Sequence, residues 1–126
     1  PTTDFDKSVD WYTNILGFHL RAILDQGASH SKEEREAVFN FGNTQSPHNV
    51  AFLLVETKNM TPIELSRNGK PFTCLTMNCL DIEYSHKTLK ERGVEVGEIT
   101  GSHEAKSFFF KDPDGNVIEA AWSIWD

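Results

Sequence analysis

The sequence predicts an α+β fold built from two copies of one β-α-β-β-β plan. Two observations carry that prediction. A helix pattern occurs twice, and each copy is followed by three strand candidates. Asp4-Phe5-Asp6 falls on Asp81-Ile82-Glu83, and Ser8 on Ser85, at an offset of 77. The glycines that stop the two helices, Gly17 and Gly93, are 76 apart, a slip of one residue.

In the first copy, Phe5, Val9, Tyr12 and Leu16 recur at helical spacing, Thr3 or Asp4 can cap, and Gly17 ends the helix. Strands are expected over residues 18–24, 37–41 and 50–56. The second copy opens with a strand over 72–79. Asp81 then caps a helix whose stripe is Ile82, Ser85, His86 and Leu89, and strands follow over 94–100, 107–111 and 116–123. The corresponding opening strand of the first copy is largely missing. Residues 1–56 therefore read as one module, 71–126 as a second, and 57–70, with Pro62, Asn68 and Gly69, as a linker. The polar stretch 27–35 reads as a loop.

The size of 126 residues suits one domain or two small modules that share a core. A hydrophobic fraction of 38%, with nine Phe, three Trp and two Tyr, excludes a disordered chain. A net charge of −7 argues against nucleic acid and anionic membrane as partners. No apolar run approaches the roughly 20 residues of a membrane span. Two cysteines, Cys74 and Cys79, form no disulfide framework, and no signal peptide is visible, so a cytoplasmic protein is expected.

The richest segment is Phe108-Phe109-Phe110-Lys111-Asp112-Pro113-Asp114-Gly115-Asn116-Val117-Ile118-Glu119. It reads as strand, tight turn, strand, because Pro presets φ, Gly accepts φ > 0, and Asp and Asn side chains bond back to the backbone. Period-2 alternation puts Ile118, Ala120 and Trp122 on one face and Val117, Glu119 and Ala121 on the other. In the same way Phe108 and Phe110 face the helix and leave Phe109 to stack on a flat ligand. On the opening strand, Leu75, Met77 and Cys79 form the apolar face and leave Cys74, Thr76 and Asn78 opposite.

These residues carry a resemblance to the vicinal oxygen chelate superfamily, which includes glyoxalase I, extradiol dioxygenases and bleomycin-resistance proteins. The matching segments are Asp4-Phe5-Asp6-Lys7-Ser8, Trp11-Tyr12, Leu16-Gly17-Phe18, Leu89-Lys90-Glu91-Arg92-Gly93-Val94 and the turn with its strands up to Glu119. The resemblance implies two βαβββ modules that form a cup-shaped mixed sheet, helices outside and ligand within. It also implies metal ligands on the first and last strands of each module in the metal-dependent members. Glu119 occupies the last of these positions and Cys74 the third, where the family normally has histidine. The second falls in 50–56, which is apolar until Glu56, and the first would precede Pro1. A catalytic metal needs about three protein ligands and an open position, so a metal-free cup is the expected state. A divalent Zn, Ni, Mn or Fe bound through Glu119 is the alternative.

The function expected from this resemblance is binding of a small, partly aromatic molecule in the cup, as in bleomycin-resistance proteins. Phe52, Cys74, Thr76, Asn78, Phe109 and Glu119 would be its wall. The alternative is a glyoxalase-like lyase or isomerase with Glu119 as base or ligand. The resemblance also implies a homodimer. The other candidates have plainer readings. His86 packs on its helix, His30 and His48 lie in loops, His19 enters a strand, and His103 sits in a loop that can reach the cup mouth. Cys79 is core, Arg21 and Lys106 are possible anion contacts in the cup, and Trp122 and Trp125 are packing or subunit-contact residues.

Overall fold

A computed structural model of the chain describes residues 1–25, 34–40 and 51–125. The chain divides into two compact units, Pro1–Thr61 and Pro62–Asp126. Together they give the mixed α+β composition that the sequence predicts.

In the first unit, α1 (Phe5–Asp10) runs into a π-helical turn, Trp11–Ile15. Asp4 caps the start, its side chain accepting a hydrogen bond from the Lys7 N–H. The Leu16 N–H reaches back five residues to the Trp11 carbonyl at 3.2 Å, and Gly17 closes the turn at φ 76°. A π turn inserts one residue into a helix without breaking its bonding. That insertion accounts for the one-residue slip between the repeats. In the second unit α2 (Ile82–Glu91) is plainly α-helical, and its cap Asp81 accepts from the Tyr84 N–H at 2.8 Å.

Strands β1 (His19–Leu24), β2 (Glu36–Asn40) and β3 (Ala51–Val55) form an antiparallel sheet in that order, with a register shift between Leu20 and Ala22. One face packs on the helical segment through an aromatic cluster. Tyr12 lies 5.0 Å from Phe52, 5.6 Å from Phe18 and 6.0 Å from Phe39, centroid to centroid. Each such pair adds about 0.5–1.5 kcal/mol beyond area burial. The opening strand survives as a parallel bridge of Thr2 with Glu56, held by the Thr2 N–H on the Val55 carbonyl at 2.8 Å.

In the second unit, residues expected as linker form a hairpin, β4 (Leu65–Arg67) with β5 (Lys70–Phe72). Its two loop residues, Asn68 at φ 52° and Gly69 at φ 74°, both take the left-handed conformation, which matches the twist of a two-residue hairpin. β6 (Leu75–Asn78), β7 (Thr100–Gly101), β8 (Ala105–Lys111) and β9 (Val117–Ser123) form a mixed sheet in the order β6-β9-β8-β7. β6 and β9 pair in parallel and the rest antiparallel. The strand expected over 94–100 reduces to a Val96–Phe110 bridge and the short β7. Phe108, Phe110, Ile118 and Ala120 are buried on the α2 side, and His86 of α2 stands edge-on to Phe108 at 4.9 Å.

Candidate functional site

The other face of the second sheet gathers the candidates that alternation assigns to it. Register sets Thr76 beside Glu119 on β6–β9, and Phe109 beside Glu119 on β8–β9. The Thr76 hydroxyl donates to Glu119 Oε2 at 2.9 Å. Glu119 is half-buried, while the Phe109 ring is 41% exposed although both of its neighbours in sequence are buried against α2. Asn78 stands opposite Ala121 on the same face and is exposed. A carboxylate with one oxygen fixed, beside an open aromatic ring, can stack a flat molecule and accept a hydrogen bond from it.

The turn that follows is fixed from within. Asp112 Oδ1 accepts the N–H groups of Asp114 at 3.0 Å and Asn116 at 2.9 Å, and Asn116 Nδ2 donates to Asp112 Oδ2 at 2.9 Å. Asn116 Oδ1 then accepts the Ile63 N–H at 2.8 Å, which ties the segment before β4 to the start of β9.

Other candidates are placed elsewhere. Phe52 is a correction: its ring belongs to the Tyr12–Phe18–Phe39 cluster on the helix side of the first sheet, because it pairs in register with the fully buried Phe39. Lys106 shares the helix side with Phe108 and donates to Glu83 of α2 at 2.6 Å, so it does not offer its charge to the open face. The lysine on that face is Lys111, paired in register with Val117; alternation from Phe109 already assigns it there. Arg21 is exposed beside the register shift in β1. His103 is exposed beside Glu104, and His19 is exposed. His86 Nε2 donates to the Gly97 carbonyl at 2.9 Å. Trp122 is half-buried and Trp125 is 71% exposed. His30 and His48 lie outside the described residues.

The positions where the resemblance implies metal ligands are engaged in other contacts. Cys74 donates through its thiol to the Val117 carbonyl at 3.2 Å, and burial pushes its pKa up, away from the thiolate that a metal needs. Glu56 is clasped by Arg35, with Nε on Oε2 at 2.9 Å and Nη2 on Oε1 at 2.8 Å. These hydrogen bonds hold its carboxyl at about 2, against an opposing effect of desolvation. Arg35 also reaches Asp6 at 3.2 Å and lies over the Phe5 ring at 4.4 Å. Among the described residues no three His, Cys, Asp or Glu side chains stand together to hold a metal ion. The described residues do not fit a three-ligand site.

A family model, the Glyoxalase/Bleomycin resistance protein/Dioxygenase superfamily, matches residues 1–120. The chain belongs to this superfamily. Among solved structures, an antibiotic-binding protein, TnmS3, from Streptomyces sp. CB03234 is 26% identical with a TM-score of 0.69, and the match covers 98% of this chain and 89% of that one. A glyoxalase/bleomycin resistance protein from the same organism is also 26% identical, with a TM-score of 0.63 and coverage of 95% and 92%. A glyoxalase family protein from Enterococcus faecalis, 19% identical with a TM-score of 0.69 and coverage of 94% and 88%, shares the fold. No curated protein matches the chain. Among the described residues, no helix is long and apolar enough to cross a membrane.

Proposed function

We propose that the chain binds a small, flat, partly aromatic molecule that carries an N–H or ammonium group, without a metal and without chemistry of its own. The observation that carries this reading is the pairing of Phe109 and Glu119 on one open face. The ring supplies a stacking surface of exposed apolar area. Thr76 occupies Glu119 Oε2 and leaves Oε1 to accept from the ligand. The likeness to an antibiotic-binding protein at 26% identity supports a binder over a catalyst. A homodimer belongs to the same proposal and is tested by light scattering on eluted protein.

The test is titration with proflavine, a planar aromatic cation, followed by its fluorescence. Phe109→Ala and Glu119→Gln should each weaken binding several-fold, by roughly 0.5–1.5 kcal/mol for the lost ring contact or charge-assisted hydrogen bond. Binding that is indifferent to both variants rejects the reading. So does stoichiometric zinc or nickel in protein purified without added metal, if Glu119→Gln removes it.

A further inference from the structure

A cavity lies within the second unit at the Lys111–Val117 end of the open face, two residues along each strand from Phe109 and Glu119. It is a half-open hollow with a volume of about 660 Å³, flanked by the β4–β5 hairpin on one side and the Lys111–Val117 end of β8–β9 on the other. That volume falls in the usual range for small-molecule sites, about 300–1,000 Å³. Its apolar lining is Ile63, Leu65, Phe72 and Val117. Its charged lining is Lys70 and Lys111 against the single carboxylate of Glu64. In a chain with a net charge of −7, this local excess of positive charge runs against the composition. Two other lysines are neutralised, Lys87 by Glu91 and Lys106 by Glu83. Neither Lys70 nor Lys111 has such a partner among the described residues.

The cavity is also built. The Asn68-Gly69 turn fixes the hairpin, and the Ile63 N–H is held by Asn116 Oδ1 at 2.8 Å. Pro62 packs on the turn, where a Cβ placed on Gly115 would stand 3.3 Å from its Cγ. Walls fixed in this way spare a ligand the cost of ordering them.

We propose that this cavity binds a small amphipathic anion, its apolar body against Ile63, Leu65, Phe72 and Val117 and its acid group between Lys70 and Lys111. Its lining adjoins the Phe109–Glu119 pair and includes neither of those residues. Octanoate and octylamine share one alkyl chain and carry opposite charges at pH 7, so they separate charge recognition from general greasiness. In amide NMR titrations of the full chain, octanoate should shift Ile63, Leu65, Phe72 and Val117, and octylamine should bind more weakly. The K70E/K111E double variant should lose roughly tenfold in octanoate affinity, since two exposed attractions become repulsions. Leu65→Ala should weaken both probes alike, and K87E, on a distant helix face, should change neither. Octylamine binding as tightly as octanoate would overturn the proposal. An unchanged affinity in a folded double variant would do so as well, as would shifts confined to Phe109, Thr76 and Glu119.

Discussion

The Thr76 hydroxyl donates a 2.9 Å hydrogen bond to Glu119 Oε2 across the parallel β6–β9 pair, and so orients the carboxylate beside the Phe109 ring. Thr76→Val keeps the β-branched shape and removes the donor. Proflavine affinity should then fall by roughly 0.5–1.5 kcal/mol. Stability, read by urea denaturation, should change by less than about 1 kcal/mol because the bond is exposed. A large stability loss with intact binding would show that the bond serves the sheet and not the site.

Phe52 and Phe109 should separate cleanly on truncation. Phe52→Ala opens a hole in the Tyr12–Phe18–Phe39 cluster and should cost about 2–4 kcal/mol of stability. Phe109→Ala removes a ring that is 41% exposed and should cost under about 1.5 kcal/mol. Chemical denaturation of the two variants side by side decides; equal costs would contradict the faces assigned to them.

Asn116→Ala should destabilise the second unit by about 1–3 kcal/mol. It strips the Ile63 N–H of its acceptor and Asp112 Oδ2 of its donor in one step. A thermal melt lowered by several degrees is the expected result. The amides of Ile63 and Leu65 should exchange faster if the tie to the hairpin is what is lost.

Glu56 sets a window of acid sensitivity. Its carboxyl is lowered from an ordinary 4.5 to about 2 in the folded chain, chiefly by hydrogen bonds from Arg35. A depressed folded-state value means that the stabilisation is fully present above about pH 4.5 and is lost as pH falls towards 2. Glu56→Gln should therefore flatten the stability profile between those two values. The effect is muted by solvent, since the Arg35 and Glu56 side chains are 36% and 27% exposed. An unaltered profile would show that the ion pair contributes nothing to folding.

Cys74 should be a slow nucleophile. Burial raises its pKa above the ordinary 9.0, so little thiolate is present near neutral pH. Alkylation by iodoacetamide at pH 8, followed by mass spectrometry of the peptide, should run more slowly in the folded chain than in urea. Faster reaction in the folded chain would reinstate Cys74 as a reactive group.

The α+β repeat, both aspartate caps and the self-bonded Asp112–Asn116 turn were legible because each is a local rule. Capping, turn chemistry and strand alternation act over a few residues and need no knowledge of neighbours. The face of Glu119 and Phe109 followed from the same alternation, anchored by an obvious apolar set in Phe108, Phe110 and Ile118. The Asn68-Gly69 hairpin was equally present as a dipeptide signal, although the surrounding prolines and polar residues read as linker.

What the chain by itself determined was therefore the α+β plan, its two capped helices and the side of the second sheet that carries a carboxylate and an aromatic ring. Tertiary structure decided the rest. Strand 51–55 is apolar at every position, so alternation says nothing about its faces, and only pairing with Phe39 turns Phe52 to the helix side. Glu56 meets Arg35 across 21 residues and Ile63 meets Asn116 across 53; no local spacing encodes such partners. Lys70 and Lys111 come to line one cavity for the same reason. Charge and apolar area act through space, and only the folded chain sets which of them face each other.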